Sequence, residues 1–244
     1  MKKKVLASLA MGAIGVGLMA GNAMAVPGAA LQGVLDGITK DPIGNSSIDV
    51  TTDYITEGLD DYWAIAGSGG SISTIVIELA GYAGSNTFGI YDAANSANFV
   101  QIFAGADAAG AQKQVSILGD GSVFVNFADT GIDFAGNNFG YYLDTPDSAF
   151  YSDTLLNTDQ FDHMFAYQGL GTDTIQIPPY AAGVWGTGEY VLAWEDIVGG
   201  GDQDWDDFVV MVESVSPVPE PASMLLFGTG LASLAGLVTR RKKN

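Results

Sequence analysis

The sequence predicts an all-β fold, a β-sandwich, for an ectodomain that covers residues 48–216. Short alternating or apolar runs recur there, and Gly, Asn or Asp interrupts them every few residues, which is typical of many short strands. Asp120-Gly121 lies between two β-prone runs and predicts a tight hairpin turn. No window keeps the 3.6-residue apolar period of a long helix.

The N-terminal segment has the pattern of a signal peptide. Residues 2–4 are lysines, residues 5–20 are mostly apolar, and Ala23 and Ala25 form an A-x-A-like cleavage site. We predict that residues 1–25 are removed by signal peptidase. An uncleaved anchor is the alternative, but the Gly- and Ala-rich run is weak for a permanent span.

A leader or linker, residues 26–47, is rich in Gly, Pro, Asp and Ser and predicts at most a short helix over 29–35. The runs that follow indicate strands. The candidate strands cover residues 48–52, 62–66, 72–79, 87–91, 99–103, 114–118, 122–127, 139–143, 150–152, 164–167, 174–177, 190–194 and 208–212.

The charge distribution excludes several functions. The chain has 28 acidic and 9 basic residues, yet only Lys40 and Lys113 are basic between the two terminal segments. Such an acidic surface repels phosphates, which excludes nucleic acid as a partner, and it favours divalent cations. The chain has no Cys, so disulfides, thiolate nucleophiles and Cys-ligated metals are excluded.

An acidic loop between two predicted strands is the candidate metal site. Unpaired carboxylates this close repel one another, and Ca²⁺ takes six to eight oxygen ligands of this kind. Glycines at 199–201 would let the backbone turn its carbonyls inward. The predicted Ca²⁺ ligands are Glu195, Asp196, Asp202, Asp204, Asp206 and Asp207.

An EF-hand is rejected although Asp202, Asp204, Asp206 and Glu213 match its spacing. Asp207 replaces the glycine that the sharp turn needs, and the next residues read as a strand. Seven extended residues at about 3.3 Å each would separate Glu213 from Asp206 by roughly 23 Å. A loop site on a β-sandwich remains.

The same loop carries a family resemblance. Trp194-Glu195-Asp196 and then Gly-Gly-Gly-Asp-Gln-Asp-Trp-Asp-Asp-Phe-Val-Val over 199–210 resemble the closing motif of domain-of-unknown-function family 4114. Residues 86–91 and 162–167 resemble its earlier segments, so the resemblance spans 85–214. It implies a β-rich module of secreted, adhesin-like bacterial proteins, with a Ca²⁺-associated loop and no established enzymatic activity. The family's usual Asn is Asp206 here.

His163 and the tryptophans are further candidates. As a metal ligand or base, the single His163 would need partners, and Asp159 and Asp162 are near in sequence; the family-like arrangement predicts that it faces the acidic loop as an accessory group. The alternative is a structural histidine bonded to a neighbouring strand or loop. The tryptophans suit either a sugar-binding face or the core. They are Trp63, Trp185, Trp194 and Trp205. One His leaves little room for a Ser/His/Asp triad, and no carboxylate pair stands out as a glycosidase.

The C-terminal tail has three adjacent parts. Pro219, Glu220 and Pro221 precede an apolar run over 222–239, which at about 1.5 Å per residue spans roughly 27 Å, enough for one transmembrane helix. A basic tail, residues 240–244, follows and would stop the span on the cytoplasmic side. Its cations are Arg240, Arg241, Lys242 and Lys243. A soluble core helix is the alternative.

These three parts resemble the PEP-CTERM sorting signal of Gram-negative bacteria, here 217–221 followed by the span. The resemblance implies processing by an exosortase, with membrane anchoring before processing and delivery to the cell surface or extracellular matrix. We therefore expect an exported, non-enzymatic protein, Ca²⁺-stabilised and structural or adhesive in biofilm, with exopolysaccharide or surface proteins as partners. The alternatives are a carbohydrate-binding module for exopolysaccharide and, less favoured, a secreted hydrolase.

Overall fold

The computed structural model describes residues 26–67, 69–78 and 82–219 of the chain. The predicted signal peptide, the span over 222–239 and the basic tail lie outside the described residues, as do Glu220 and Pro221. Within the described ranges, no helix has the length and apolar character needed to cross a membrane.

The described residues form strands with one α-helix and one 3₁₀ turn. In chain order they are α1 (Ala29–Ile38), β1 (Thr39–Asp41), β2 (Trp63–Ile65), β3 (Ser71–Glu78), β4 (Thr87–Asp92), β5 (Asn95–Phe103), β6 (Gln112–Ile117), β7 (Ser122–Val125), β8 (Ala128–Asp133), β9 (Asn138–Asp144), β10 (Ala149–Tyr151), the 3₁₀ turn Thr154–Leu156, β11 (Met164–Gln168), β12 (Thr174–Ile175), β13 (Gly183–Val184), β14 (Glu189–Trp194), β15 (Phe208–Glu213) and β16 (Val215–Pro217). The all-β prediction is confirmed.

The strands form two large sheets and one small one, in which the strand pairs are antiparallel. The seven-stranded sheet has the order β11-β14-β15-β3-β6-β7-β8, and the six-stranded sheet has β16-β2-β9-β4-β5 with β10 beside β9. A small sheet, β1-β12-β13, lies apart from them. Strands distant in sequence are therefore neighbours, as β3 is to β15.

The two large sheets pack face to face, as in a β-sandwich. The ring of Phe88 on β4 lies 5.3 Å from that of Phe208 on β15, and Trp63 on β2 lies 4.8 Å from Tyr190 on β14. These rings belong to one buried cluster drawn from both sheets. Burial of such large apolar surfaces is the main driving force for the fold.

Strands β11, β14 and β15 of the seven-stranded sheet are buried on both faces. Leu192 and Val210 point into the core between the sheets, whereas Val191 and Val209 belong to a second buried cluster. Helix α1 covers that second cluster with one apolar face. Burial on both faces explains why β14 and β15 read as continuous apolar runs rather than as alternating ones.

The structure differs from the predicted local structure in three places. Residues 48–52 form turns instead of the predicted strand, although Ile48 and Val50 are buried. The predicted short helix extends over ten residues, Ala29–Ile38, inside the predicted leader. The hairpin at Asp120 is confirmed, but its loop has three residues, because Leu118 N–H donates to Ser122 O and Gly121 takes a φ of +98°.

Candidate metal site

The acidic loop joins two strands inside the seven-stranded sheet. Trp194, the last residue of β14, pairs with Phe208, the first residue of β15, so residues 195–207 leave the sheet and return at one point. A tight coil achieves this return, because several of its residues have positive φ. They are Gly199, Gly200, Gly201, Gln203 and Trp205.

The coil brings together three of the predicted ligands. Glu195, Asp202 and Asp207 each offer one carboxylate oxygen, and these oxygens lie within 4.8 Å of one another. Two oxygens on opposite sides of a Ca²⁺ ion, at bond lengths of 2.3–2.6 Å, stand about 5 Å apart. The three oxygens could therefore share one ion of this size.

Glu195 is the buried member of this group, and only one of its oxygens is satisfied. Oε1 accepts from the backbone N–H groups of Trp205 (2.9 Å) and Asp204 (2.5 Å). Oε2 is buried and has no hydrogen-bond partner among the described residues. Leaving a buried carboxylate oxygen without a partner costs a few kcal/mol. A bound cation would remove that cost.

Two carboxylates of the acidic loop have raised pKa values. Burial is the largest cause that raises the pKa of Glu195 to about 8 and that of Asp207 to about 7. The negative charge of Asp196 raises the pKa of Asp207 further. In the described part of the chain the ion pairs are Lys113–Asp107 and His163–Asp159, neither of which neutralises these two carboxylates.

The other three predicted ligands lie around the group. Asp196 is buried, accepts from Asn86 Nδ2 at 3.0 Å, and donates its backbone N–H to Asp207 Oδ2 at 3.1 Å. Asp204 Oδ1 accepts the backbone N–H of Asp206 at 3.3 Å. These contacts hold the loop in shape. Spacing alone could not separate them from the three converging carboxylates.

His163 lies beside the loop with both ring nitrogens engaged. Nδ1 is 3.1 Å from Glu195 O, which can only accept, and Nε2 is 3.0 Å from Asp159 Oδ2. That Asp159 oxygen also accepts the backbone N–H of Gly199 at 2.7 Å. Burial lowers the pKa of His163. The ring thus fixes both ends of the coil, and neither nitrogen is left to bind a metal.

Two contributors to the site were not predicted as such. Asn86 holds Asp196 across 110 positions, a contact that only the pairing of distant strands can produce. Trp205 was expected either in a sugar-binding face or in the core, and all four tryptophans are fully buried. Trp205 joins the loop to the core, because its ring lies over Phe161 at 5.9 Å while its backbone N–H holds Glu195.

Replacement of Trp205 is expected to destabilise the domain. Its ring contacts Phe165 edge-on at 4.8 Å, and Nε1 donates to Asp162 O at 3.3 Å. Trp205→Ala should cost about 3–5 kcal/mol of unfolding free energy, measured from urea unfolding curves. Leu155→Ala, at a side chain that is 75% exposed, is the control and should change little. Equal losses in the two variants would contradict the packing role of Trp205.

Two neighbouring glycines allow a matched test of the carboxylate group. A Cβ at Gly201 would lie 2.8 Å from Glu195 Oε2, whereas a Cβ at Gly199 meets nothing within 4 Å. Both have positive φ, +46° and +78°, so both alanine variants carry backbone strain. Gly201→Ala should weaken Ca²⁺ binding at least tenfold in a calorimetric titration, and Gly199→Ala should weaken it far less. Equal affinities would place the ion elsewhere.

Comparison with known proteins gives two matches. Residues 109–215 match the family described as Domain of unknown function (DUF4114), and residues 217–242 match the PEP-CTERM protein-sorting motif. The first match includes the acidic loop and residues 162–167, and it begins after residues 86–91. Searches of curated proteins and of solved structures gave no match. The chain is therefore a PEP-CTERM sorting-motif protein, an exosortase substrate by that motif, and it carries a domain of the DUF4114 type.

Proposed function

We propose that this protein is a non-enzymatic, Ca²⁺-stabilised structural or adhesive component of the cell surface or extracellular matrix of a Gram-negative bacterium. The sorting motif implies export and processing by an exosortase. In this proposal a signal peptide starts export, and the segment over 222–239 anchors the chain in the membrane until it is processed. Exopolysaccharide or other surface proteins are its partners in the biofilm.

The observation that carries the Ca²⁺ part of the proposal is the state of Glu195. It is fully buried, one of its oxygens has no described hydrogen-bond partner, and Asp202 and Asp207 each place an oxygen within 4.8 Å. The oxygen-only donor set suits a hard cation such as Ca²⁺. Ca²⁺ is abundant outside the cell, where the sorting motif directs the chain.

The carbohydrate-binding alternative is less favoured. It depended on tryptophans available at the surface, and the four tryptophans of the chain are fully buried. An aromatic side chain that stacks on a sugar ring must expose one face, and these tryptophan rings are instead packed between and behind the sheets. The hydrolase alternative is also less favoured, since Glu195 of the converging loop carboxylates is held by backbone N–H groups of its own loop.

Retention on cells tests the structural or adhesive role. Cells that express the wild-type chain or Glu195→Gln are washed in millimolar Ca²⁺ or in EDTA, and the protein that is released into the wash is quantified. Wild-type protein should stay on the cells in Ca²⁺ and be released several-fold more in EDTA. Glu195→Gln should be released equally in both. If the amount of released protein is the same in Ca²⁺ and in EDTA, and the same for wild type and Glu195→Gln, the proposal is contradicted.

The non-enzymatic part needs a separate test. The purified chain is incubated with a panel of polysaccharides, and new reducing ends are measured over time. We expect no turnover above a blank. Turnover that disappears on neutralising one acidic residue would instead support the hydrolase alternative.

A further inference from the structure

A second group of carboxylates lies outside the acidic loop, in the turn that precedes β2. Glu57, Asp60 and Asp61 each offer one oxygen, and these oxygens lie within 4.8 Å of one another. The sequence drew no attention to them, because a Glu-Gly-Leu-Asp-Asp run has no known ligand spacing. They also precede the residues that match the family.

Asp60 is the member of this group whose environment needs a ligand. Its side chain is only 3% exposed, and Oδ1 is buried without a hydrogen-bond partner among the described residues. Its backbone carbonyl accepts from Trp63 Nε1 at 2.7 Å, which fixes the turn against the core. Asp60 is therefore held in place while one of its carboxylate oxygens has nothing to bind.

A further buried carboxyl group, that of Asp162, lies two residues before β11 and adjoins Glu57. Burial raises the pKa of Asp162 well above its ordinary value, and the adjoining carboxyl of Glu57 and the charge of Asp60 add to that increase. Asp162 is itself anchored, because Oδ1 accepts the backbone N–H of Met164 at 3.1 Å. On Glu57, Oε1 accepts from Thr154 Oγ1 at 2.5 Å.

Basic residues are few in the described part of the protein. Its basic residues are Lys40 and Lys113; Lys113 pairs with Asp107 at 2.7 Å, and no ion pair of Lys40 occurs among the described residues. Buried like charges at this separation repel strongly unless an ion or protons neutralise them. A divalent cation with oxygen ligands would satisfy the orphan oxygen and the charge together.

We propose that Glu57, Asp60 and Asp61 form a second Ca²⁺ site. This site ties the turn before β2 to the 3₁₀ turn Thr154–Leu156, because Glu57 also accepts from Thr154, 97 positions away in the sequence. This second site is separate from the loop site at Glu195, and the two sites have no carboxylate in common. Oxygen ligands alone, at separations of this size, select a hard divalent cation rather than a transition metal.

Counting bound ions tests the second site. The full chain, purified in detergent, is dialysed to equilibrium against radioactive Ca²⁺ as the wild type, as Glu57→Gln/Asp60→Asn, as Glu195→Gln and as the triple variant. We expect the wild type to bind two ions, Glu57→Gln/Asp60→Asn and Glu195→Gln to bind one ion each, and the triple variant to bind none. Asp129→Asn/Asp133→Asn, which neutralises two exposed carboxylates, is the charge-matched control and should keep two ions. Circular dichroism checks that each variant is folded.

The outcomes separate the two sites. Two ions bound to Glu57→Gln/Asp60→Asn, or a single wild-type ion that disappears in Glu195→Gln, would overturn the second site and leave the proposed function intact. A single wild-type ion that survives Glu195→Gln but not Glu57→Gln/Asp60→Asn would support the second site and overturn the loop site. If the double variant fails to fold, one ion bound to Glu195→Gln supports the second site, and none overturns it.

Discussion

Ca²⁺ bound at the loop site is expected to raise the melting temperature of the wild-type chain by roughly 5–10 °C, and Glu195→Gln is expected to lose that contribution. A ligand that binds only the folded state, at a hundredfold excess over Kd, adds about 2.7 kcal/mol of stability. For a domain of this size 1 kcal/mol corresponds to about 2–4 °C. Glu195→Gln keeps an oxygen that can accept from Trp205 N–H, so it removes the charge and largely keeps the shape.

The measurement is a thermal melt followed by tryptophan fluorescence in millimolar Ca²⁺ and in EDTA. Asp133→Asn removes one exposed carboxylate from β8 and should keep the full Ca²⁺ effect. In EDTA, Glu195→Gln should melt at or above the wild type near neutral pH, because burial raises the pKa of Glu195 to about 8 and the wild-type carboxyl must take up a proton on folding, whereas Gln need not. A Ca²⁺ effect of the same size in Glu195→Gln and in wild type would show that Ca²⁺ acts elsewhere.

A chain cut to residues 109–219 is expected not to fold. It contains the whole family match but lacks β2, β3, β4 and β5. In the intact chain β3 lies between β15 and β6, and β4 lies between β9 and β5. Removing β2, β3 and β4 takes inner strands from both large sheets and leaves unpaired backbone groups in what was the core.

Circular dichroism and amide NMR measure this directly. Residues 26–219 should give a cooperative melt and well-dispersed amide resonances, whereas residues 109–219 should give neither. A cooperative melt of the shorter chain would mean that its strands can pair without their central neighbours. The matched segment would then be an independent domain.

The sequence predicted the residue types of the loop site but not its final geometry. Charge repulsion among neighbouring carboxylates and the adjacent glycines indicated a cation site near 195–207. The choice of Glu195, Asp202 and Asp207 depends on positive φ at Gln203 and Trp205, which are not residues that usually adopt it. The site before β2 could not be predicted, since the spacing of Glu57, Asp60 and Asp61 matches no known ligand pattern.

For the fold as well, the local sequence pattern predicted some features, while others depend on contacts with distant parts of the chain. Residues 48–52 were predicted as a strand, and Ile48 and Val50 are buried, but Asp49 Oδ1 accepts the backbone N–H of Thr51 and turns the chain locally. In α1, Leu31, Leu35 and Ile38 follow a helical period, while Gly33 and Gly37 lower its intrinsic propensity. Packing on the second face of the seven-stranded sheet compensates for that loss.

The pairing of β16 with β2 affects when folding can finish during export. A chain that crosses the membrane from its N-terminus delivers β2 and β3 early, yet their neighbours β16 and β15 arrive last. Early strands must wait exposed, and long-range pairings of this kind form slowly. Only one residue, Val218, separates the end of β16 at Pro217 from Pro219 of the sorting motif. Completion of the fold and presentation of the tail to its processing enzyme thus become nearly simultaneous events, and a delay in one delays the other.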